Sequence, residues 1–326
     1  MNICILQLGT YGDMILTTPI ITAIKNKYPS SKINFIAGGR NYLVVKHHPD
    51  VSEIIIWNKL PHRLINNLLT FLQNKFDYYV DPKDHYSTES QIIARLVRAK
   101  VKIGLNYSNK KTFDITIPNA EQNEHLHFTQ RVFQAFKYLD IPSSRDDIPK
   151  PVLFYPEDSK KYLESFLLDN GLKRNSYIVF NISASNSKKT FSEYELNQIF
   201  TEIVTDIPIV LTFDVNDTIK ALNLKGKFRF LNLFFSRTIL DIFAVVNNAL
   251  RVITPDTSLV HIATAYSKST LAFYSGLDNF FNKFHPNNPK CIVVRAKSGD
   301  DGIHSIPISL FVAKINSFIN SYKEVL

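Results

Sequence analysis

Three loops in this sequence place reactive or anion-binding side chains beside glycine or helix-capping residues. The first, Gly9-Thr10-Tyr11-Gly12-Asp13, follows an apolar run and leads into a pattern of Ile15, Leu16, Ile20, Ile21 and Ile24. Gly9 and Gly12 permit a tight turn and close backbone approach, and a lone carboxylate such as Asp13 at that point can act as a general base. The same position suits a carboxylate that caps the following helix, and spacing alone favours that plainer role. A dinucleotide fingerprint would need a third glycine and a smaller loop interior. Pro19 either opens a helix capped by Thr18 or kinks one begun near Gly12.

The second loop is Thr254-Pro255-Asp256-Thr257-Ser258-Leu259-Val260-His261, where a β-rich run stops and an apolar helix opens at about Leu259. Such a junction exposes backbone N–H groups at the positive end of a helix dipole, and Thr257 and Ser258 add hydroxyl donors for a phosphate. Asp-Thr-Ser is equally a good helix cap, and His261 also reads as a core histidine. The third loop, Ser183-Ala-Ser185-Asn-Ser-Lys188-Lys189-Thr-Phe191-Ser192, is expected at the same sheet edge, where Lys189 supplies a compact charge for a diphosphate or simply lies in solvent.

The elements that must hold these loops alternate in type. Runs rich in Ile, Val and Phe are separated by helical periodicity, the pattern of βα units and a parallel sheet. Strands are predicted at Ile3–Leu8, Ile33–Ala37, Ile54–Trp57, Tyr78–Val80 and Val101–Gly104, with helices at Ile20–Tyr28, Leu64–Lys75 and Phe128–Leu139. The stretch Asp140–Pro156, with Pro142, Pro149, Pro151 and Pro156, reads as a linker, dividing the chain into domains 1–150 and 151–326. The second half restarts with a helix near Asp158–Asn170. Strands follow at Tyr177–Ile182, Ile207–Phe213, Phe230–Asn232, Leu250–Ile253 and Thr270–Tyr274, and a closing helix at Leu310–Tyr322. That last helix is left free to return to the first domain.

Composition narrows the class. The chain has 326 residues, 45% hydrophobic and 21% charged, with two cysteines, Cys4 and Cys291, which build no disulfide framework. No apolar stretch reaches the roughly 18–20 residues of a membrane span, and the N-terminus lacks a basic leader, so a cytoplasmic protein is expected. The net charge of +9 leans toward the first 150 residues, which hold 19 Lys+Arg against 13 Asp+Glu. Arg40, Lys46, His47, His48, His62, Arg63, Lys83, His85, Arg95 and Arg98 suit an acceptor bearing carboxylates or phosphates, a fraction of them facing a ligand. No metal site has convincing spacing, and no nucleic-acid-binding signature accompanies the basic charge. Leu64, Ile65, Leu68, Leu69 and Leu72 read as a core face.

Taken in order, Gln7-Leu8-Gly9-Thr10-Tyr11-Gly12-Asp13-Met-Ile-Leu-Thr17-Thr18-Pro19, the Lys189-Thr190-Phe191-Ser192 element, Leu231-Asn232-Leu233 with Leu240-Asp241-Ile242, and Thr254–Ala263 followed by Ser269–Gly276 resemble the family 9 glycosyltransferases, the ADP-heptose:lipopolysaccharide heptosyltransferases. The resemblance runs across almost the whole chain. It implies a GT-B fold, two Rossmann-like α/β domains facing a cleft, with acceptor on the first and nucleotide-sugar donor on the second.

It further implies an inverting transfer with no tightly bound metal or other cofactor, onto an anionic glycan or glycolipid of the cell envelope, at the inner face of the cytoplasmic membrane. Asp13 would be the base, in the acceptor-side loop Gly9, Thr10, Tyr11 and Gly12. Lys189, Ser183, Ser185, Asp256, Thr257, Ser258, Leu259 and His261 would surround the donor. The chain departs from the family pattern at Ser258, where glycine is usual, at Ser275-Gly276 in place of Gly-Pro, and at Leu211–Asp214, which lacks glycines. A different nucleotide sugar, a protein acceptor, or a non-catalytic sugar-nucleotide binder therefore stay open beside heptose transfer.

Overall fold

The computed structural model describes residues 1–57, 70–71, 73–107, 111–300 and 302–321. The apolar positions Leu64, Ile65, Leu68, Leu69 and Leu72, and the cations His62 and Arg63, lie outside the described residues. Two compact units make up the chain: Met1–Phe154 with Asn282–His285, and Tyr155–Phe281 with Pro286–Leu326.

In the first unit, strands β1 (Asn2–Gln7), β2 (Lys32–Gly38), β3 (Val51–Trp57), β4 (Phe76–Val80), β5 (Ala99–Gly104) and β6 (Ile115–Thr116) form one sheet in the order β3-β2-β1-β4-β5-β6. Every pairing is parallel. Helix α1 (Tyr11–Thr17) follows β1, and α2 (Pro19–Lys27) continues from it through Thr18, whose backbone is itself helical (φ −57°, ψ −30°). Pro19 thus breaks a helix already begun: its missing N–H ends one hydrogen-bond ladder, while its fixed φ starts the next. Helices α3 (Thr88–Leu96) and α4 (Phe128–Gln134) complete the described helices of this unit, and a one-turn 3-10 segment at Lys137–Leu139 replaces the expected continuation of α4.

The second unit opens on α5 (Glu157–Asp169) and repeats the plan. Strands β7 (Ile178–Asn181), β8 (Ile209–Thr212), β9 (Leu231–Phe234), β10 (Arg251–Pro255), β11 (Ser269–Tyr274) and β12 (Cys291–Arg295) lie in the order β12-β11-β10-β7-β8-β9, again all parallel. Between them run α6 (Glu193–Glu202), α7 (Thr218–Lys227), α8 (Ile239–Asn247), α9 (Ser258–Ala265) and α10 (Asp278–Phe284), and α11 (Ile308–Asn320) closes the chain. Read from its own first strand, this is the same order as in the first unit. Strand β12 was not anticipated, although Cys291–Val294 is a short apolar run; it is an edge strand of its sheet, with Ile292 exposed and Cys291 only partly buried.

Central strands covered on both faces read as continuous apolar segments, and β7, β8 and β10 are buried at every residue. Their core gathers on Phe191, whose ring lies 5.4–5.8 Å from those of Phe180, Phe273 and Phe311. The last helix, left free to return to the first domain on sequence grounds, contributes Phe311, Val312, Ile315, Phe318 and Ile319 to this core of the second unit. The linker between the units is packed, not loose: Ile141, Pro151 and Leu153 are buried. No helix among the described residues is long and apolar enough to cross a membrane.

Phe191 seats the loop that carries Lys189. Truncation to alanine is expected to cost about 3–5 kcal/mol, as for other fully buried phenylalanines, read as a lower urea midpoint by circular dichroism.

Candidate active site

In both sheets the strand order reverses at the first strand, between β1 and β4 and between β7 and β10. Loops leaving the carboxyl ends of those strands diverge and open a ligand crevice. The three loops singled out by composition lie there: Gly9–Asp13 after β1, Ser183–Ser192 after β7, and Asp256–Leu259 after β10.

Asp13 occupies the third position of α1 and completes a capping box with Thr10. Its Oδ2 accepts from the Thr10 N–H at 2.7 Å and from the Thr10 hydroxyl at 2.9 Å. The plainer role is therefore real, and it orients the group: Oδ1 takes no part in those bonds. The fit explains Gly9, since a Cβ there would stand 2.4 Å from Oδ2 of Asp13. Buried Asn41 fixes the loop from below, donating to the Gln7 and Gly9 carbonyls at 3.0 and 2.8 Å. Gln7 accepts from the Gly9 N–H at 2.9 Å and donates to Thr17 at the same distance.

The loop after β4 adds groups that sequence reasoning passed over. Asp81 is 2% exposed, and burial pushes its carboxyl up to about 6 against the pull of the Lys83 N–H and the nearby cations. Asp84 pairs with Arg131 of α4 at 3.1 Å, both side chains under a tenth exposed, and Arg131 also donates to the Leu126 and Glu124 carbonyls. His127 caps α4, accepting from the Thr129 N–H on Nδ1, with Nε2 3.1 Å from the His285 carbonyl, a geometry that selects the neutral Nε2–H tautomer. Lys283 lies against the rings of Phe128 and Phe284. Burial pulls its ammonium below the ordinary value, while the charges of Asp84 and Asp13 oppose that pull. Exposed Tyr86 and Tyr107, following β4 and β5, hold their rings 4.8 Å apart.

Only part of the basic set shares this edge. Arg40, Lys83 and His85 follow carboxyl ends of strands. Lys46, His47 and His48 precede β3, and Arg95 and Arg98 precede β5, which puts them at the amino edge. His48 is a core histidine, 6% exposed and edge-on to Phe154 at 4.9 Å.

In the second unit Lys189 ends a 3-10 turn, Ser187–Lys189, and its Nζ stands 2.5 Å from Oδ2 of Asp256 and 5.0 Å from the Phe280 ring. Thr257 caps α9, accepting from the Leu259 N–H at 3.2 Å. Buried Asn181 binds the two loops together, donating to the Ser183 carbonyl at 2.8 Å and to Thr254 at 3.1 Å. Ser183 is occupied elsewhere: its hydroxyl donates to Asp217 at 2.5 Å and accepts from the Asp214 N–H at 2.8 Å. Ser185 is exposed, Ser258 is half-buried at the first turn of α9, and His261 is buried on that helix. The arrangement offers a lysine and a helix N-terminus to an anion, and Asp256 orients the lysine.

Comparison with known proteins follows the same lines. Residues 65–301 match the profile of glycosyltransferase family 9 (heptosyltransferase). The chain is 24% identical to lipopolysaccharide heptosyltransferase 3 of Escherichia coli, over 85% of this chain and 84% of that protein. It is 21% identical to the lipopolysaccharide core heptosyltransferase OpsX of Haemophilus influenzae, over 89% and 86%. Among solved structures, the E. coli heptosyltransferase WaaC with ADP superposes with a TM-score of 0.77 at 16% identity, covering 98% of this chain and all of that one. E. coli ADP-heptose lps heptosyltransferase II gives the same score and identity over the whole of both chains.

Burial of Asp81 has a consequence for pH. An unfolded aspartate titrates near 4, so the folded chain holds a proton that the unfolded chain releases between there and about 6. Stability therefore falls as pH rises through that window, by about 3 kcal/mol in all. Asp81→Asn keeps an oxygen for the Lys83 N–H and removes the charge. Urea denaturation of the variant between pH 4 and 7 is expected to lose this fall and show higher stability at pH 7.

Proposed function

The chain belongs to glycosyltransferase family 9, and from that premise we propose that this glycosyltransferase moves heptose from ADP-heptose, with inversion, onto the lipopolysaccharide core. The observation that carries the reading is the pairing of unlike chemistry at two equivalent places. A fixed carboxylate, Asp13, stands at the strand-order reversal of one sheet, and a fixed lysine, Lys189, beside a helix N-terminus at the reversal of the other. Names of relatives similar along most of the chain support the sugar and the acceptor class.

Transfer needs a base for the acceptor hydroxyl and a stabiliser for the departing nucleoside diphosphate. Asp13 serves as the base through Oδ1: Thr10 holds Oδ2, so the carboxylate meets the acceptor in one orientation. The acceptor oxygen attacks the anomeric carbon as its proton passes to Asp13, the bond to the diphosphate breaks, and the electron pair leaves on the phosphate oxygen. Lys189 exchanges Asp256 for the diphosphate as the donor binds, so its charge is in place when the bond breaks, and the first N–H groups of α9 add their partial positive charge. Ser258, in place of the usual glycine, brings a hydroxyl to the same anion. On the acceptor side, Arg40, Lys83 and His85 supply positive charge at the productive edge, and the Tyr86–Tyr107 pair offers an aromatic face to a sugar ring. The same charge suits association with an anionic membrane surface.

Asp13→Asn preserves size and loses basicity. It is expected to leave ADP affinity unchanged, by calorimetry, while transfer falls by a factor on the order of 10²–10⁴; unimpaired turnover would refute the mechanism. Lys189→Ala is expected to weaken ADP binding by roughly ten- to a hundredfold, the range of a lost charge-assisted contact. A thermal-shift comparison of ADP, UDP, GDP and CMP tests the base, because a ligand bound only by the folded chain raises its melting temperature.

A further inference from the structure

The lysine turn is held from outside by a segment that the family resemblance did not touch. The Ile303 N–H donates to the Lys188 carbonyl at 2.9 Å. Gly302 lies flat on the same carbonyl: a Cβ there would stand 2.7 Å from that oxygen and 3.2 Å from the Lys188 Cβ. Next in line, His304 reaches two acceptors. Its Nδ1 is 2.9 Å from Oε1 of Glu195, and its Nε2 is 3.2 Å from the Ser187 carbonyl. Glu195 is buried and already accepts from the Ser192 N–H and hydroxyl at the start of α6, so the carboxylate is anchored. The turn Ser187–Lys189 is thereby gripped at two consecutive carbonyls.

A neutral imidazole has one N–H, and both partners of this ring are acceptors. Both contacts become donations only in the imidazolium, which spans from a fixed carboxylate to the backbone of the turn. We propose that His304 is a positioning residue for donor binding, its imidazolium holding the Ser187–Lys189 turn where Lys189 meets the donor diphosphate. This rests on the reading of Lys189 as the donor lysine.

The hydrogen bond to Glu195 holds His304 above the ordinary histidine range. A raised histidine contributes while protonated and releases its hold as pH rises through its folded pKa. Of the other charged groups, Lys188 and Lys189 belong to the turn itself, and Lys297 and Asp300 precede Gly302 on His304's own side; Glu195 contacts the ring directly.

Calorimetry of ADP binding to the wild type, His304→Gln and Lys189→Ala at pH 6 and pH 8.5 tests the proposal. Taking ratios to the wild type at each pH removes the titration of ADP itself. The Gln variant is expected to bind roughly three- to tenfold more weakly at pH 6 and about as tightly as wild type at pH 8.5, while Lys189→Ala is weaker at both. Equal affinity at pH 6, or the same loss at both values, overturns the proposal and leaves the donor site standing. A wild type that binds ADP no better than Lys189→Ala overturns the donor reading and the proposal with it. Should the Gln variant melt early, Gly302→Ala is read instead. It displaces the turn through the Lys188 carbonyl, leaves the imidazole intact, and is expected to weaken ADP binding at pH 6 by a similar factor; unchanged affinity there counts against the grip.

Discussion

In a parallel sheet every strand leaves the layer at the same edge and returns by a right-handed crossover on one face or the other. When growth of the sheet reverses about its first strand, the crossovers on either side pass to opposite faces, and the two loops at the reversal have nothing between them. Both units of this chain have that order. The reversal decides which residues become neighbours: Asp13 shares its edge with Asp81 and Asp84 because β1 lies beside β4, and Lys189 meets Asp256 because β7 lies beside β10.

An open crevice creates its own problem, because the carbonyls just past each strand end have lost their sheet partners while still lying near the core. Both units solve it with a buried asparagine amide. Asn41, 1% exposed, donates to the Gln7 and Gly9 carbonyls; Asn181, 4% exposed, donates to the Ser183 carbonyl and to Thr254. Each amide fixes a loop that would otherwise adjust to water, and the loops present their charged groups in set positions before any substrate arrives. The aromatic cluster around Phe191 does the same for the far end of the lysine loop, which is the physical meaning of an aromatic residue two places after Lys189.

This division between local and distant determinants explains what the amino-acid order disclosed. Strands β7, β8 and β10, and the helix start at Ser258, are written in adjacent residues, through apolar runs and capping side chains, and so were legible within a residue or two; the start at Tyr11 was one of two open alternatives, and the helix at Glu193 was not predicted although Ser192 and Glu195 form its capping box. Asp13 was legible as a cap, and the geometry shows that role carried by Oδ2, with Oδ1 outside those bonds. Asp81, Asp84 and Arg131 were not: a buried carboxylate looks like a surface one until the fold removes its water, and the partner of Asp84 lies 47 residues away. Ser183 is the converse case. Its place in the loop suggested a ligand, yet its hydroxyl is spent on the turn after β8, a connection set by strand pairing and invisible in the local sequence.

The contact between Lys189 and Asp256 looks at first like competition for an incoming anion, but its charges argue for preparation. A lysine alone on a solvent-facing turn would sample many rotamers and bring its full conformational entropy to the binding step. Tethered at 2.5 Å and leaning on the Phe280 ring, it has already lost that freedom. The diphosphate proposed to bind here carries more negative charge than one carboxylate and would also draw on the N–H groups that begin α9, so the exchange would favour the ligand although Asp256 stays nearby. The balance holds only while the turn beneath Lys189 stays still, because an ion pair of this kind weakens quickly when one partner drifts. On the proposed reading of Lys189 as the donor lysine, rigidity of the Ser187–Lys189 backbone would count for as much in recognition as the charge it carries.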